Sequence, residues 1–321
     1  MFPTHVLGRL AAGLAVAAIA LAPLAAVADT VLAVGDQKGN ARAVLEASGA
    51  LDGIPYTIEW SEFPAAAPLL EALNAGAIDA GTVGDAPFTF AVASGAAVKA
   101  VLATRQGQEG LAVVVAKDSP AQSFADLKGK KIATGRGSIG HQLVLAALEK
   151  GGLKPADVEL VFLTPSEAKA ALLTGAIDAW STWEPYTSQL EILEGARRVV
   201  DGTAITPGLG FFVASPKAIE EKRAALEDLV GRLARARAWA ADHPEQYAKV
   251  WSGIIGLPEA VAISMHRRAR ARAVPIDAGV IAAEQETVDL YARAGLIKPF
   301  MASDALDASF NAAVVKAVGG S

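Results

Sequence analysis

The string Gly76-Ala77-Ile78-Asp79-Ala80 recurs as Gly175-Ala176-Ile177-Asp178-Ala179. The copies lie 99 positions apart. An Ala/Leu-rich run precedes each, and a proline follows each, Pro87 and Pro185. This period is too long for a solenoid. It predicts two lobes that each carry one copy of the same unit. A cleft then lies between them, and junctions between domains are favoured ligand sites.

Each copy reads as helix, stop, strand. Leu69, Leu70, Ala72 and Leu73 give an apolar helical face before the first copy, and Ala170-Ala171-Leu172-Leu173 precedes the second. Gly76 and Gly175 stand where a left-handed residue ends a helix. Strands are expected over 77–83 and 176–182. Gly84-Asp85-Ala86-Pro87 and Trp183-Glu184-Pro185 come next. Pro87 suits the start of a helix, where a missing N–H costs nothing. A strand feeding a helix N-terminus presents free N–H groups at the carboxyl edge of a sheet, where α/β proteins bind ligands and where anions are favoured. One copy alone is an ordinary α/β turn; the pair argues for a cleft.

A second pair has the same form. Strand Val31–Gln37 leads through Lys38-Gly39-Asn40 to a helix over Ala41–Ala47, and strand Lys131–Thr134 leads through Gly135-Arg136-Gly137-Ser138 to a helix over Ile139–Lys150. Gly135, Gly137 and Gly140 resemble a dinucleotide fingerprint without its full context, and no Walker-type string is present. The turns read as anion cradles.

Residues 1–28 have the form of a secretory signal: Arg9, an apolar run over 10–24, and Ala26-Val27-Ala28 as the cleavage site before Asp29. The chain has no cysteine. Disulfides, thiol nucleophiles, thiolate metal sites and a lipid-bearing cysteine are therefore excluded. The expected location is the periplasm, as a soluble monomer. A net charge of −5 argues against nucleic acid as a partner. No two histidines stand at metal-ligand spacing, and neither metal nor cofactor is expected. The basic cluster Arg267, Arg268, Arg270 and Arg272 reads as a solvated helix end, with one arginine free to reach an anion.

Strands and helices alternate with short loops, the pattern of an α/β fold with mainly parallel sheets. Runs at 111–116 and 211–214 read as the crossovers between lobes. Lobe 1 is then 29–116 plus 211–321, and lobe 2 is 117–210. Long helices are expected over 218–241, with Leu226, Leu229, Val230 and Leu233 on one face, and over 280–294. Two crossovers permit hinged closure.

The chain resembles the periplasmic substrate-binding proteins of ABC importers in the sulfonate, nitrate and taurine group, most of all the aliphatic sulfonate-binding members. The strings that carry the resemblance are Gln37-Lys38-Gly39-Asn40, Phe63-Pro64-Ala65, Leu69-Leu70-Glu71-Ala72-Leu73-Asn74, Gly84-Asp85-Ala86-Pro87, Asp126-Leu127-Lys128-Gly129-Lys130-Lys131 and Trp183-Glu184-Pro185-Tyr186. The resemblance implies a two-lobed type II periplasmic-binding-protein fold that holds a small anionic ligand between its lobes. It also implies delivery to an inner-membrane permease and its ATPase on separate chains. By position it places Gln37, Lys38, Gly84, Asp85, Gly137, Ser138, His141, Trp183 and Glu184 at the ligand. Departures are Asp36 where the family often has Tyr, Gly137-Ser138-Ile139-Gly140-His141 for Gly-Ser-Ser-Ala-His, Glu184 for Asp, and Ala271-Arg272 for Tyr-Gly.

The residues carry plainer readings too. Ser138 is both a helix N-cap and a hydroxyl donor. Asp85 caps the Pro87 helix or binds an amine. Trp183 walls the pocket or fills the core, and Trp180 is assigned to the core. His141 reads as structural rather than catalytic, and Arg105 as exposed. Nitrate, taurine and other small organic anions stand as alternative ligands. An enzyme on the same fold is the competing class. Desulfination of the resembling type needs a cysteine nucleophile, which this chain lacks, and the pyrimidine synthases are cytoplasmic and use histidines. A receptor's sensing module is disfavoured because no signalling segment follows. The expectation is a binding protein without turnover.

Overall fold

The computed structural model describes residues 30–37 and 39–319. The signal segment and Lys38 lie outside the described residues. The first sheet contains β1 (Val31–Gln37), β2 (Thr57–Phe63), β3 (Ala80–Gly84), β4 (Lys99–Arg105), β10 (Leu209–Ala214) and β11 (Arg272–Val274), in the order β11-β4-β10-β3-β1-β2. The second contains β5 (Ala112–Val115), β6 (Lys131–Thr134), β7 (Glu159–Phe162), β8 (Ala179–Thr182) and β9 (Arg197–Asp201), in the order β7-β6-β8-β5-β9. β2-β1-β3-β10-β4 and β7-β6-β8-β5-β9 follow one plan. The repeated string leads into the central strand of each, β3 and β8.

The sheets are less parallel than expected. β10 runs antiparallel to β3 and β4, and β5 runs antiparallel to β8 and β9. Each is the strand that arrives from the other sheet, so it enters from the opposite edge. β5 also corrects the expected crossover. Residues 112–115, placed in lobe 1 by sequence, pair wholly within the second sheet. The chain therefore changes sheets within residues 106–111 and returns within 202–208.

The repeat has a structural cause. Helix α2 (Ala66–Asn74) ends at Gly76 and helix α5 (Pro165–Leu173) at Gly175, each with φ +74°. Positive φ is costly for any residue with a Cβ. The strands begin three residues later than expected because the repeated aspartate first bonds sideways. The Asp79 N–H donates to Ala33 O at 2.7 Å, and Asp79 Oδ2 accepts from the Ala33 N–H at 2.8 Å. Asp178 does the same with Lys131, at 3.0 and 2.9 Å. The shared string is thus a clamp that sets each central strand against its neighbour.

Helices cover both faces of both sheets. α1 (Ala41–Ala47), α8 (Arg223–Asp242) and α9 (Pro244–Ile255) bury one face of the first sheet. α2, α3 (Asp85–Ala93) and α11 (Ala278–Arg293) bury the other. α4 (Ile139–Lys150) covers one face of the second sheet, and α5 with α6 (Tyr186–Glu194) the opposite face. The long helix expected over 218–241 is two: α7 (Pro216–Glu221) and α8, broken at Lys222. The Lys222 ammonium reaches Asp79 Oδ2 at 2.7 Å and Val31 O at 2.8 Å. The apolar face of α8 is as read: Leu226, Leu229, Val230 and Leu233 are buried. α10 (Glu259–Ala269) and α12 (Asn311–Val318) complete the helices, and Trp180 is in the core at 1% exposure.

Candidate ligand-binding site

A cavity of about 550 Å³ lies between the sheets, within the range of small-molecule pockets. Gln37, Asn40, Gly84, Arg237 and His266 line it from the first half, and Arg136, Ser138, Phe162, Trp183 and Glu184 from the second. The halves meet closely. A Cβ on Gly84 would lie 2.8 Å from Ile139 Cγ2, and one on Gly137 would lie 2.7 Å from the Phe90 ring.

Ser138 caps α4: its Oγ accepts from the His141 N–H at 3.2 Å. The hydroxyl hydrogen is left for Thr134 Oγ1, at 3.3 Å, or for a ligand oxygen. The N–H groups of Gly137 and Ser138 are already used, by His141 Nδ1 at 3.2 Å and Gly135 O at 3.1 Å. The glycine turn is therefore not itself a cradle. What faces an anion is the helix start: the first-turn amides ahead of His141, which have no partner within the helix, and the Ser138 hydroxyl. Gln37 is held at the wall by donating from Nε2 to Thr82 O at 2.7 Å. Trp183 stands on the wall with its ring 6.1 Å from that of Tyr186, edge to face.

Three residues expected at the ligand lie behind the wall. Asp85 is 2% exposed; its Oδ2 accepts from Gln142 Nε2 at 3.0 Å and Thr287 Oγ1 at 3.2 Å. Burial pushes its pKa up against those bonds. It is the first residue of α3 rather than its cap, which is Gly84. Gly137 is buried beneath Phe90, with φ +68°. His141 is 1% exposed, its ring 5.2 Å from Phe162 and 5.8 Å from Tyr291. Burial, with help from the Arg136 charge, lowers its pKa to about 4. It is neutral at physiological pH and gives no charge to an anion.

Glu184 reaches the wall but is occupied. It accepts from the Ser188 N–H at 3.0 Å and Ser188 Oγ at 2.8 Å, and Arg268 Nη1 lies 3.3 Å away. Burial raises its pKa while these partners oppose the shift. Asp36, the departure nearest the first turn, faces away from the cavity. Its oxygens accept from the Ala41 N–H at 2.8 Å and the Arg42 N–H at 3.2 Å. Burial nevertheless pushes its pKa up.

The basic cluster divides. Arg267 pairs with Glu245 and Arg272 with Asp242 at the surface, while Arg268 pairs with Glu184 and Glu191. Arg270, with φ +39°, reaches the wall. Arg237, Arg136 and Asn40 were not singled out by sequence. Arg237 Nη2 donates to Asn40 Oδ1 at 2.5 Å, and Arg136 lies over the Phe162 ring at 4.0 Å. A signal for Arg237 existed: it follows Leu233 by four positions and Val230 by seven, on the buried stripe of α8.

Residues 62–247 match the family described as NMT1/THI5 like. A putative aliphatic sulfonates-binding protein of Escherichia coli is 37% identical over 264 residues, covering 81% of this chain and 83% of that protein. The chain belongs to the NMT1/THI5-like family. Among solved structures in its neighbourhood is the alkanesulfonate-binding protein SsuA from Xanthomonas axonopodis pv. citri bound to MOPS. It has TM-score 0.82 and 33% identity, and the match covers 88% of this chain and 99% of that one. The periplasmic aliphatic sulphonate binding protein SsuA from Escherichia coli gives TM-score 0.75 and 34% identity, over 86% and 91%. This NMT1/THI5-like chain has their periplasmic-binding-protein fold. These relatives are named as binding proteins, not enzymes.

Proposed function

We propose that this chain is the periplasmic solute-binding component of an ABC importer, and that its ligand is an aliphatic sulfonate or a related organic oxyanion. It acts as a monomer and delivers the ligand to a membrane permease and its ATPase. Two lobes, divided within residues 106–111 and 202–208, close on the ligand. The observation that carries the reading is the cavity between the sheets. It joins the N-terminus of α4 and the Ser138 hydroxyl with arginines from both halves. A helix N-terminus and guanidinium groups favour oxyanions. The relatives named above as sulfonate-binding proteins support the choice of head group. Ligand-binding residues in this reading are Gln37, Gly84, Ser138 and Trp183, with Arg237 added. Lys38 follows Gln37 directly and is retained.

Titration calorimetry of the purified protein tests this, with alkanesulfonates, taurine, sulfate, nitrate and carboxylate analogues. Sulfonates are expected to bind in preference to the carboxylates of the same chain length. Ser138→Ala is expected to weaken them about tenfold, the worth of one hydrogen bond to a charged group. Because the substitution also removes a helix cap worth about 1 kcal/mol, the dissociation constant is the readout rather than the melting temperature. Binding of none of the sulfonates would overturn the proposal.

A further inference from the structure

We propose that the cavity takes a dianionic organosulfonate: a sulfonate at one end and a second acidic group, carboxylate or sulfonate, at the other, joined by a carbon spacer. This rests on the binding-protein reading and narrows its ligand class.

The ground is the charge balance of the wall. Arg136, Arg237 and Arg270 all reach it. None of the three makes an ion pair among the described residues, whereas the neighbouring Arg267, Arg268 and Arg272 are each taken by carboxylates. The wall's two carboxylates do not answer them. Glu184 is matched by Arg268. Glu167 accepts from the Thr164 N–H at 2.9 Å and Thr164 Oγ1 at 2.7 Å. Arg136 and Arg270 are exposed, so water answers their charge, but Arg237 is not. A monosulfonate seated at Ser138 leaves Arg237 desolvated without a counter-charge, which is costly.

Arg237 is where the second acidic group belongs. Its guanidinium is fixed by Asn40, so it is pre-aimed rather than free to swing into water. Its Nε is buried and lacks a partner. Asp36 is the carboxylate that most influences it, but the Asp36 oxygens are given to the first amides of α1. The first acidic group sits at Ser138, on the other half. Both positions line the same cavity, Ser138 from the second half and Arg237 from the first.

The test compares the ω-sulfocarboxylates from 3-sulfopropanoate to 6-sulfohexanoate with the alkane-1-sulfonates of the same carbon count, from propane-1-sulfonate upward, by titration calorimetry on the purified protein at 0.15 M salt. At the length that fits, the dianion is expected to bind about tenfold more tightly or better, the worth of one charge-assisted hydrogen bond in the cavity. Arg237→Gln is expected to bring the affinity ratio toward one. Arg235→Gln, on the same helix but exposed and off the wall, is expected to leave the ratio unchanged. Should Arg237→Gln fail to fold, Asn40→Ala, which frees the guanidinium, is expected to lower the ratio in the same direction. Equal or weaker binding of the dianion at every length, with the alkane-1-sulfonates still bound, overturns this inference and leaves the binding-protein reading standing. Failure of both series and of all other sulfonates overturns both.

Discussion

His141 shows how burial turns a titratable group into a stability switch. Its folded pKa of about 4 lies below the ordinary value of 6.5. A depressed histidine stabilises the fold fully above about 6.5, and that contribution is lost as pH falls toward 4. The shift is worth about 2 kcal/mol by pH 4.5. His141→Gln keeps an acceptor for the Gly137 N–H and does not titrate. Urea denaturation at pH 7 and 4.5 is expected to show the parent protein losing roughly 2 kcal/mol more than the variant. Equal losses would place the imidazole in contact with water. The sequence read His141 as structural, the resemblance drew it to the ligand, and the fold buries it. Which way a first-turn side chain points depends on the rotation of α4 against β7 and α11, and no local pattern states that rotation. Arg237 is the converse case. Its spacing marked it as anomalous on an apolar stripe, but only the neighbouring Asn40 and the cavity show what it faces.

At the scale of elements, the repeated aspartates give the sharpest prediction. Asp79 and Asp178 each pin the adjacent strand through a backbone bond and a carboxylate bond. Asp79 also holds Lys222 at 2.7 Å, whereas Asp178 sees Lys130 only at 3.8 Å and more exposed. Asp79→Ala is therefore expected to cost about 2–3 kcal/mol, and Asp178→Ala about 1–2, from the loss of charged hydrogen bonds. Chemical denaturation midpoints check both the sizes and the order. A larger cost at Asp178 would mean that Lys222 adds nothing. Elements with strong local signals were legible to the residue: β1, α1, β6 and α4 have the bounds that the sequence predicts. The break at Lys222 was not. Lysine is a good helix former, and at the break its ammonium meets Asp79, 143 positions away, a contact that no local pattern states.

For the whole molecule, the contact between halves is concentrated in few places. Arg268 on α10 bridges to Glu184 at 3.3 Å and Glu191 at 2.7 Å on the second half. Beside it, Ser188 Oγ meets Ser264 Oγ at 3.0 Å. On the far side, Tyr291 donates to the carbonyl of Ser138 at 3.1 Å, and Gln142 donates to Asp85. Arg268→Ala leaves the half-buried Glu184 without a cation, while Glu191 keeps Arg198 at 2.8 Å. Such a loss is expected to cost about 1–2 kcal/mol of the closed arrangement, discounted from the fully buried case for partial exposure. Small-angle scattering on the sulfonate-loaded protein should then show a larger radius of gyration than the parent, with affinity about tenfold weaker. An unchanged radius together with unchanged affinity would remove the bridge from closure.

The sequence by itself determined the α/β class, the two-fold plan and the family. Each rests on patterns that are local or repeated: apolar spacing, glycine stops, a duplicated string and runs of matching residues. Only the tertiary structure decided that the duplicated aspartate is a clamp, that β5 belongs to the second sheet, and that Asp85 and His141 stand behind the wall while Arg237 stands on it. These depend on which strand lies beside which and on how each helix is rolled against its sheet. Such facts arise from contacts between residues far apart in the chain. Burial and charge balance, which set the chemistry of the cavity, are properties of that assembly rather than of any segment.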